Sequence, residues 1–207
     1  MVNVIYGFRV CFLSFLRSCV KALSERGSLL AFFNIVFFCS FFVVVLVAQF
    51  LFPPPLYSSE PPIISWVPFP VGDWFMLFVW VFVFNLVVSA FAVVTLSGIV
   101  FFPFSAGFLT YRAVLWGLLF YSLPSSVFLA VLPTLILESE AYVVAAVAGT
   151  VVGLSWVKPS LAFKYKELSR LGSFMMALKE AGHLYKAVVL LLLAAATVET
   201  ITIFSLT

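Results

Sequence analysis

Acidic residues lie in or beside apolar segments of this 207-residue chain. Glu138 and Glu140 come just before one apolar segment, and Glu199 lies inside another, between threonines. A carboxylate in hydrocarbon is costly, so such a side chain is expected to face protein or water beside a polar partner. We therefore expect the three acids to converge. The candidate partners in other apolar segments are Asn34, Gln49 and Asn85.

Three interpretations of these acids stay open at the level of the sequence. The acids could bind a cation or a proton, form neutral structural hydrogen bonds, or extend toward the membrane surface. The first interpretation predicts a small-solute or cation transporter or channel that uses Glu138 and Glu199. Glu138, Glu140, Glu199 and Asn85 together form the candidate polar or ion site.

Catalytic motifs give little support to an enzyme. One histidine, His183, cannot build a multi-histidine zinc site, and one aspartate, Asp73, excludes an aspartyl dyad. The sequence has no Gly-x-Ser-x-Gly elbow, His-Glu-x-x-His helix, Walker loop or Gly-rich dinucleotide turn. We expect no catalytic residue, metal or cofactor, although a glutamate-based intramembrane enzyme stays open.

The composition is that of an integral membrane protein. Hydrophobic residues make up 65% of the chain and charged residues only 9%, whereas soluble domains carry roughly 25% charged residues. The sequence predicts an all-α, multi-pass protein of the cell membrane with lipids as partners, and it gives little support to nucleic-acid binding. The cysteines, Cys11, Cys19 and Cys39, are interpreted as small apolar residues.

The eleven basic residues predict how the chain is threaded. They fall between Arg9 and Arg26, at Arg112, and between Lys158 and Lys186, and Lys and Arg near helix ends are retained on the cytoplasmic side. We expect one membrane domain over 1–207, a five-helix transmembrane bundle with its N-terminus inside and its C-terminus outside. The spans are predicted at about 29–52, 74–100, 108–131, 141–157 and 187–204, with a proline-rich outer loop at 53–73.

Two segments outside the spans have amphipathic patterns. Residues 2–26 and 158–183 both mix basic and apolar residues, which predicts interfacial helices at the inner membrane surface. For the first segment, a simple topological anchor and a binding surface for anionic lipid both stay open.

Polar residues and a proline interrupt the third apolar stretch. A proline there frees backbone groups that need protein or water partners. A kinked helix and a broken helix that lines a transport site both stay open. The predicted break comprises Ser122, Pro124, Ser125 and Ser126.

Small residues recur every four positions in the fourth predicted span. Ala141, Ala145, Gly149 and Gly153 therefore share one helix face. Small residues let helix backbones approach closely in lipid. The pattern predicts helix packing within one subunit or a homo-oligomer contact.

Pro133, Glu138 five residues later and the small residues from Ala141 to Gly153 form a longer pattern. It resembles the signature of the stage II sporulation protein M family, in which a Pro-His-Gly-x-x-Glu element leads into a helix with this Ala and Gly spacing. Thr134 and Leu135 stand where the His and Gly would be. The resemblance adds Pro133 to the candidate site and carries over Glu138, but not a histidine function.

This resemblance implies a membrane scaffold or assembly protein that recruits other membrane or cell-envelope proteins. The scaffold is our first prediction of function, and the transporter or channel is the alternative.

Overall fold

The computed structural model describes residues 14, 15, 17–52, 73–163 and 169–206. All regular structure in these residues is helical. The helices, in chain order, are α1 (residues 17–25), α2 (Gly27–Leu51), α3 (Trp74–Val100), α4 (Pro103–Tyr121), α5 (Ser125–Val157), α6 (Pro159–Ala162) and α7 (Arg170–Leu206).

Among the described residues, four helices are long and apolar enough to cross a membrane: α2, α3, α5 and α7. Helix α4 has 19 residues and is also long enough, at about 28 Å, but its sequence is more polar and contains Arg112. Large apolar side chains on all five helices are exposed, including Phe50, Trp74 and Leu129. The chain has the architecture of a helical membrane protein.

Helix α3 begins at an aspartate cap and changes its winding half-way along. Asp73 Oδ1 accepts hydrogen bonds from the backbone N–H groups of Phe75 and Met76, at 3.0 and 3.2 Å. The middle of the helix, Phe84–Thr95, is a π-helix, in which each N–H group bonds five residues back. This winding aligns residues four or five apart. The buried ones are Asn85, Ser89, Ala90, Val94 and Thr95.

The boundary between α4 and α5 lies at Ser122–Pro124, which is the position of the predicted helix break. Pro124 disfavours helical geometry at the residue before it, and it precedes the first residue of α5. The serines at 125 and 126 therefore begin a helix and do not interrupt one. Pro133 lies inside α5 without ending it.

The helix boundaries thus differ from the predicted spans 108–131 and 141–157. Residues 132–140, which lie between those spans, are helical and belong to α5. In a membrane helix, neighbouring groups can satisfy the backbone carbonyl that an interior proline frees.

Helix α5 lies at the centre of the bundle, in contact with α2, α3, α4 and α7. Every residue from Ala141 to Gly153 is buried. The small-residue face packs on α3: a β-carbon built on Gly149 would lie 2.7 Å from the Thr95 carbonyl oxygen. This face is therefore occupied within the chain, as the intramolecular interpretation predicted.

The second predicted interfacial segment, 158–183, does not form a separate helix. Residues 170–183 continue without a break into the apolar segment 187–204, so that α7 has 37 residues and a length of about 55 Å. Because a bilayer core is about 30 Å thick, part of α7 extends beyond it. No proline lies between the basic and apolar parts, and Gly182 between them does not end the helix.

Other predicted segments are only partly described. Of the interfacial helix expected at 2–26, residues 14, 15 and 17–25 are helical, and residues 1–13 and 16 lie outside the described residues. The proline-rich loop expected at 53–73 also lies outside them, except for its last residue.

Candidate functional site

A polar cluster lies among α3, α4, α5 and α7, inside the helical bundle. At its centre, the Asn85 side-chain amide donates a 2.6 Å hydrogen bond to Oε1 of Glu138. Both side chains are buried, with exposed fractions of 8% and 5%. The π-helical part of α3 places Asn85 on the side that faces α5.

Tyr142 lies one turn after Glu138 on the same face of α5 and extends the cluster. Its hydroxyl donates a hydrogen bond of 2.9 Å to Oδ1 of Asn85. The same hydroxyl lies 3.4 Å from Oε2 of Glu138. Tyr142 is completely buried, so these side chains satisfy each other without exposure to the surface.

Arg112 brings a positive charge to this cluster. Its Nη2 donates to the Tyr142 hydroxyl at 2.9 Å, and its Nη1 donates to the Ser89 hydroxyl at 3.1 Å. The guanidinium also lies over the rings of Tyr142 and Trp116, at 4.4 and 5.3 Å from the ring centres. Cation–π contacts of this kind strengthen when the groups are desolvated.

Arg112 does not lie at the end of its helix, where the rule for basic residues expects it. It lies on the tenth residue of α4, about 13 Å from the start of that helix. Hydrogen-bond acceptors on α3 and α5 allow the guanidinium to remain inside the bundle.

Glu199, on α7, is the second acid of the cluster and interacts electrostatically with Glu138. Two neighbouring carboxylates shielded from water repel each other, and a shared proton relieves this repulsion. Arg112 brings a cation to the same hydrogen-bond network through Tyr142. The arrangement is therefore chemically suited to hold an exchangeable proton near a fixed cation.

Of the three predicted acids, the structure brings Glu138 and Glu199 together and leaves Glu140 apart. Oε2 of Glu140 lies 3.4 Å from the amide nitrogen of Asn34, on the side of α5 that faces α2. Gln49 is exposed on α2, and Pro133 is exposed on α5.

The predicted helix break does not line this cluster. The first residue of α5 precedes Glu138 by thirteen positions, about 20 Å along the helix. The break and the acids therefore lie at separate levels of the bundle. Ser122 instead closes the last turn of α4, where its hydroxyl donates to the Leu119 carbonyl at 2.6 Å.

No family model, curated protein or solved structure matches this chain. The chemistry of the cluster thus has to be inferred from its own geometry.

No role in the cluster was predicted from the sequence for Arg112, Ser89, Tyr142 or Trp116. Two signals could have found them. A lone arginine inside an apolar segment needs a partner, and Tyr142 follows Glu138 at the spacing of one helical turn. Among the described residues, no three His, Cys, Asp or Glu side chains are grouped so that they could hold a metal ion.

Proposed function

We propose that the chain is a multi-pass protein of the cell membrane that crosses it five times, with its N-terminus inside and its C-terminus outside. The segments between α3 and α4, and between α4 and α5, have two and three residues. Such short connections favour antiparallel neighbours, and with α4 as a fifth crossing the basic ends of α1 and α7 lie on one side. Reporter fusions at the two termini test this threading. Reporters active on the same side would contradict it.

We propose further that the protein is a proton-coupled transporter of a small solute, in which Glu138 and Glu199 carry the proton. The neighbouring acids Glu138 and Glu199, in one hydrogen-bond network with Arg112 inside a membrane bundle, support this function most. Ionisable groups in spanning segments are costly, and those that occur commonly form proton relays or substrate pathways.

The position of Arg112 favours a proton over a metal cation at this site. A guanidinium that already balances the single charge of the acid pair repels a further cation. A proton bound between two carboxyl oxygens avoids this repulsion, because it neutralises a charge that the acids themselves carry. Release of that proton would leave a second negative charge beside Arg112. The electrostatic interaction between Glu138 on α5 and Glu199 on α7 would then become repulsive.

A scaffold is the second candidate function, and the close packing of α5 favours it. Backbone contacts at Gly149 and Gly153 fix α3 against α5, which suits a rigid platform for other membrane or cell-envelope proteins. The resemblance of Pro133, Glu138 and the small-residue face to the stage II sporulation protein M family stays a proposal that points in the same direction. On this view, the acid pair is a neutral structural hydrogen bond.

Proton flux in liposomes separates the two candidates. The purified protein is reconstituted around a pH-sensitive dye, and a pH gradient is applied with and without a mixture of candidate solutes. We expect flux that Glu138→Gln and Glu199→Gln abolish. Glu140→Gln is the matched control, because this acid lies on the same helix but outside the cluster, and it should retain the flux.

Flux that survives both Glu138→Gln and Glu199→Gln would contradict the transporter. Silent liposomes of the wild-type protein, together with capture of envelope proteins by the same preparation, would favour the scaffold.

A further inference from the structure

A second feature lies about 24 Å along α7 from the acid pair, at the basic end of that helix. Where α1 meets α7, the structure contains a cavity of about 380 Å³, which is within the usual size range for small-ligand sites. Its charged lining residues are Lys21, Glu25, Arg26, Lys179 and Glu180, and His183 also lines it.

One ion pair forms a fixed wall of this cavity. Arg26 donates to both carboxylate oxygens of Glu180, at 2.5 and 2.8 Å, and to the Ala162 carbonyl at 3.0 Å. Its guanidinium also lies 5.3 Å from the centre of the Phe163 ring. Both side chains of the ion pair are mostly buried, so Arg26 serves to join α1, α6 and α7 and is not free to bind a ligand.

The remaining charges leave the cavity positive. Lys21 is only loosely paired with Glu25, at 3.9 Å between exposed side chains. Lys179 is exposed and has no carboxylate within ion-pair distance among the described residues. Lys186, one turn beyond His183, donates to the hydroxyl of Ser18, a further lining residue. Among the described residues, three Lys and Arg side chains therefore line the cavity with two glutamates, and Lys186 lies next to them.

Large apolar side chains on α1 and at the basic end of α7 are exposed. Val20 on α1, and Leu171 and Met175 on α7, are more than 60% exposed. Large apolar residues exposed next to lysines are typical of a helix at the boundary between lipid headgroups and acyl chains. On the proposed threading, this boundary is at the inner surface, where anionic lipids attract basic residues.

We propose that this cavity binds the phosphate group of an anionic phospholipid, with Lys21 and Lys179 as its direct ligands. The lysines lie on different helices, so a bound phosphate would bridge α1 and α7. The adjacent apolar residues would contact the acyl chains of the same lipid. The shared chemistry is recognition of a phosphate anion, and a soluble phosphate compound is the other source of that chemistry.

Thermal unfolding of the full-length protein in detergent tests the proposal. Phosphatidylglycerol, phosphatidylcholine and inorganic phosphate are titrated separately. We expect phosphatidylglycerol to raise the unfolding temperature with saturation, and the other two to have little effect. The double substitution Lys21→Gln with Lys179→Gln should weaken the apparent affinity about thirtyfold, from the typical contribution of a lysine beside an anionic lipid.

Two further cations provide the matched control. Lys158 and Arg170 are exposed and do not line the cavity, so Lys158→Gln with Arg170→Gln removes the same charge elsewhere. This variant should bind as the wild type does, and Lys179→Arg should retain most of the affinity. The substituted positions Lys21, Lys158, Arg170 and Lys179 are all exposed, so the changes are compatible with folding.

Three results would overturn the proposal. An equal loss in the control variant would show attraction to general surface charge. Stabilisation by inorganic phosphate but not by phosphatidylglycerol would assign the cavity to a soluble ligand. A wild-type protein that does not respond to phosphatidylglycerol would exclude a lipid site.

Discussion

Gly153 of α5 lies directly against the carbonyl oxygen of Gly98 of α3, and a β-carbon on Gly153 would overlap that oxygen. Four residues earlier, a β-carbon on Gly149 would meet the Thr95 carbonyl and the Ser105 hydroxyl at 2.7 and 2.9 Å. The obstructing atoms are largely backbone, so a side-chain rotation cannot relieve the overlap. The contact between α3 and α5 therefore requires glycine at both positions.

Gly153→Ala should lower the free energy of unfolding by about 1–3 kcal/mol, which is the usual cost of overpacking. Gly182→Ala is the matched control, because a β-carbon at this position of α7 has no neighbour within 4 Å and alanine favours a helix over glycine. Thermal unfolding in detergent measures the stability of both variants. Equal behaviour of the two variants would show that α3 and α5 are not in close contact.

Arg112 and Glu138 should be energetically coupled. Arg112 and Glu138 share Asn85 and Tyr142 as hydrogen-bond partners. Arg112→Gln leaves buried acceptors without their charged donor and should cost about 1–3 kcal/mol. Glu138→Gln alters the same network. The double variant should be more stable than the sum of the single effects predicts, by about 0.5–3 kcal/mol. A double-mutant cycle of chemical unfolding in mixed micelles measures this difference, and strict additivity would contradict the coupling.

The Arg26–Glu180 ion pair should hold α1 on α7. Glu180→Gln leaves a mostly buried guanidinium without its charged partner and should cost about 1–3 kcal/mol. Hydrogen exchange at residues 17–26 should become faster in this variant. Glu25→Gln breaks the exposed pair with Lys21 and should change stability by less than about 1 kcal/mol. Unchanged exchange in Glu180→Gln would mean that other contacts hold α1.

Cys19 should react slowly with maleimide. Burial raises the pKa of its thiol, and the positive charge of Lys186 only partly opposes this. Since the thiolate is the reactive form, the raised pKa lowers the reactive fraction at neutral pH, and the labelling rate should continue to rise at a pH where a free cysteine has levelled off.

The labelling experiment requires a protein whose only cysteine is Cys19, and Ser24→Cys in a cysteine-free background serves as the exposed control. Equal rates at the two positions would show that α1 does not pack as described.

The sequence predicts that Glu138 has a polar partner, because a polar side chain in an apolar segment is costly without one. It does not predict which residue that partner is, since Asn34, Gln49 and Asn85 satisfy the same criterion. Glu140 was grouped with Glu138 because both precede the span predicted at 141–157, with no helix assigned to them. Once these residues are helical, side chains two positions apart point in different directions, and Glu140 meets Asn34 instead.

Arg112 shows why charge alone could not locate every residue. The rule that basic residues mark the inner surface treats each one as exposed, but a guanidinium with enough acceptors and aromatic faces can stay within a bundle. The boundary at Pro124 was similarly ambiguous, because Pro133 carries the same intrinsic cost in a helix. The surrounding helices decide which proline is tolerated, and they are distant in sequence.

One uninterrupted helix, α7, carries both His183 of the basic cavity and Glu199 of the acid pair, about 24 Å apart. On the proposed function, a ligand that draws the basic end of α7 toward α1 would shift Glu199 relative to Glu138. Binding at the basic cavity would then be coupled to protonation of the acid pair.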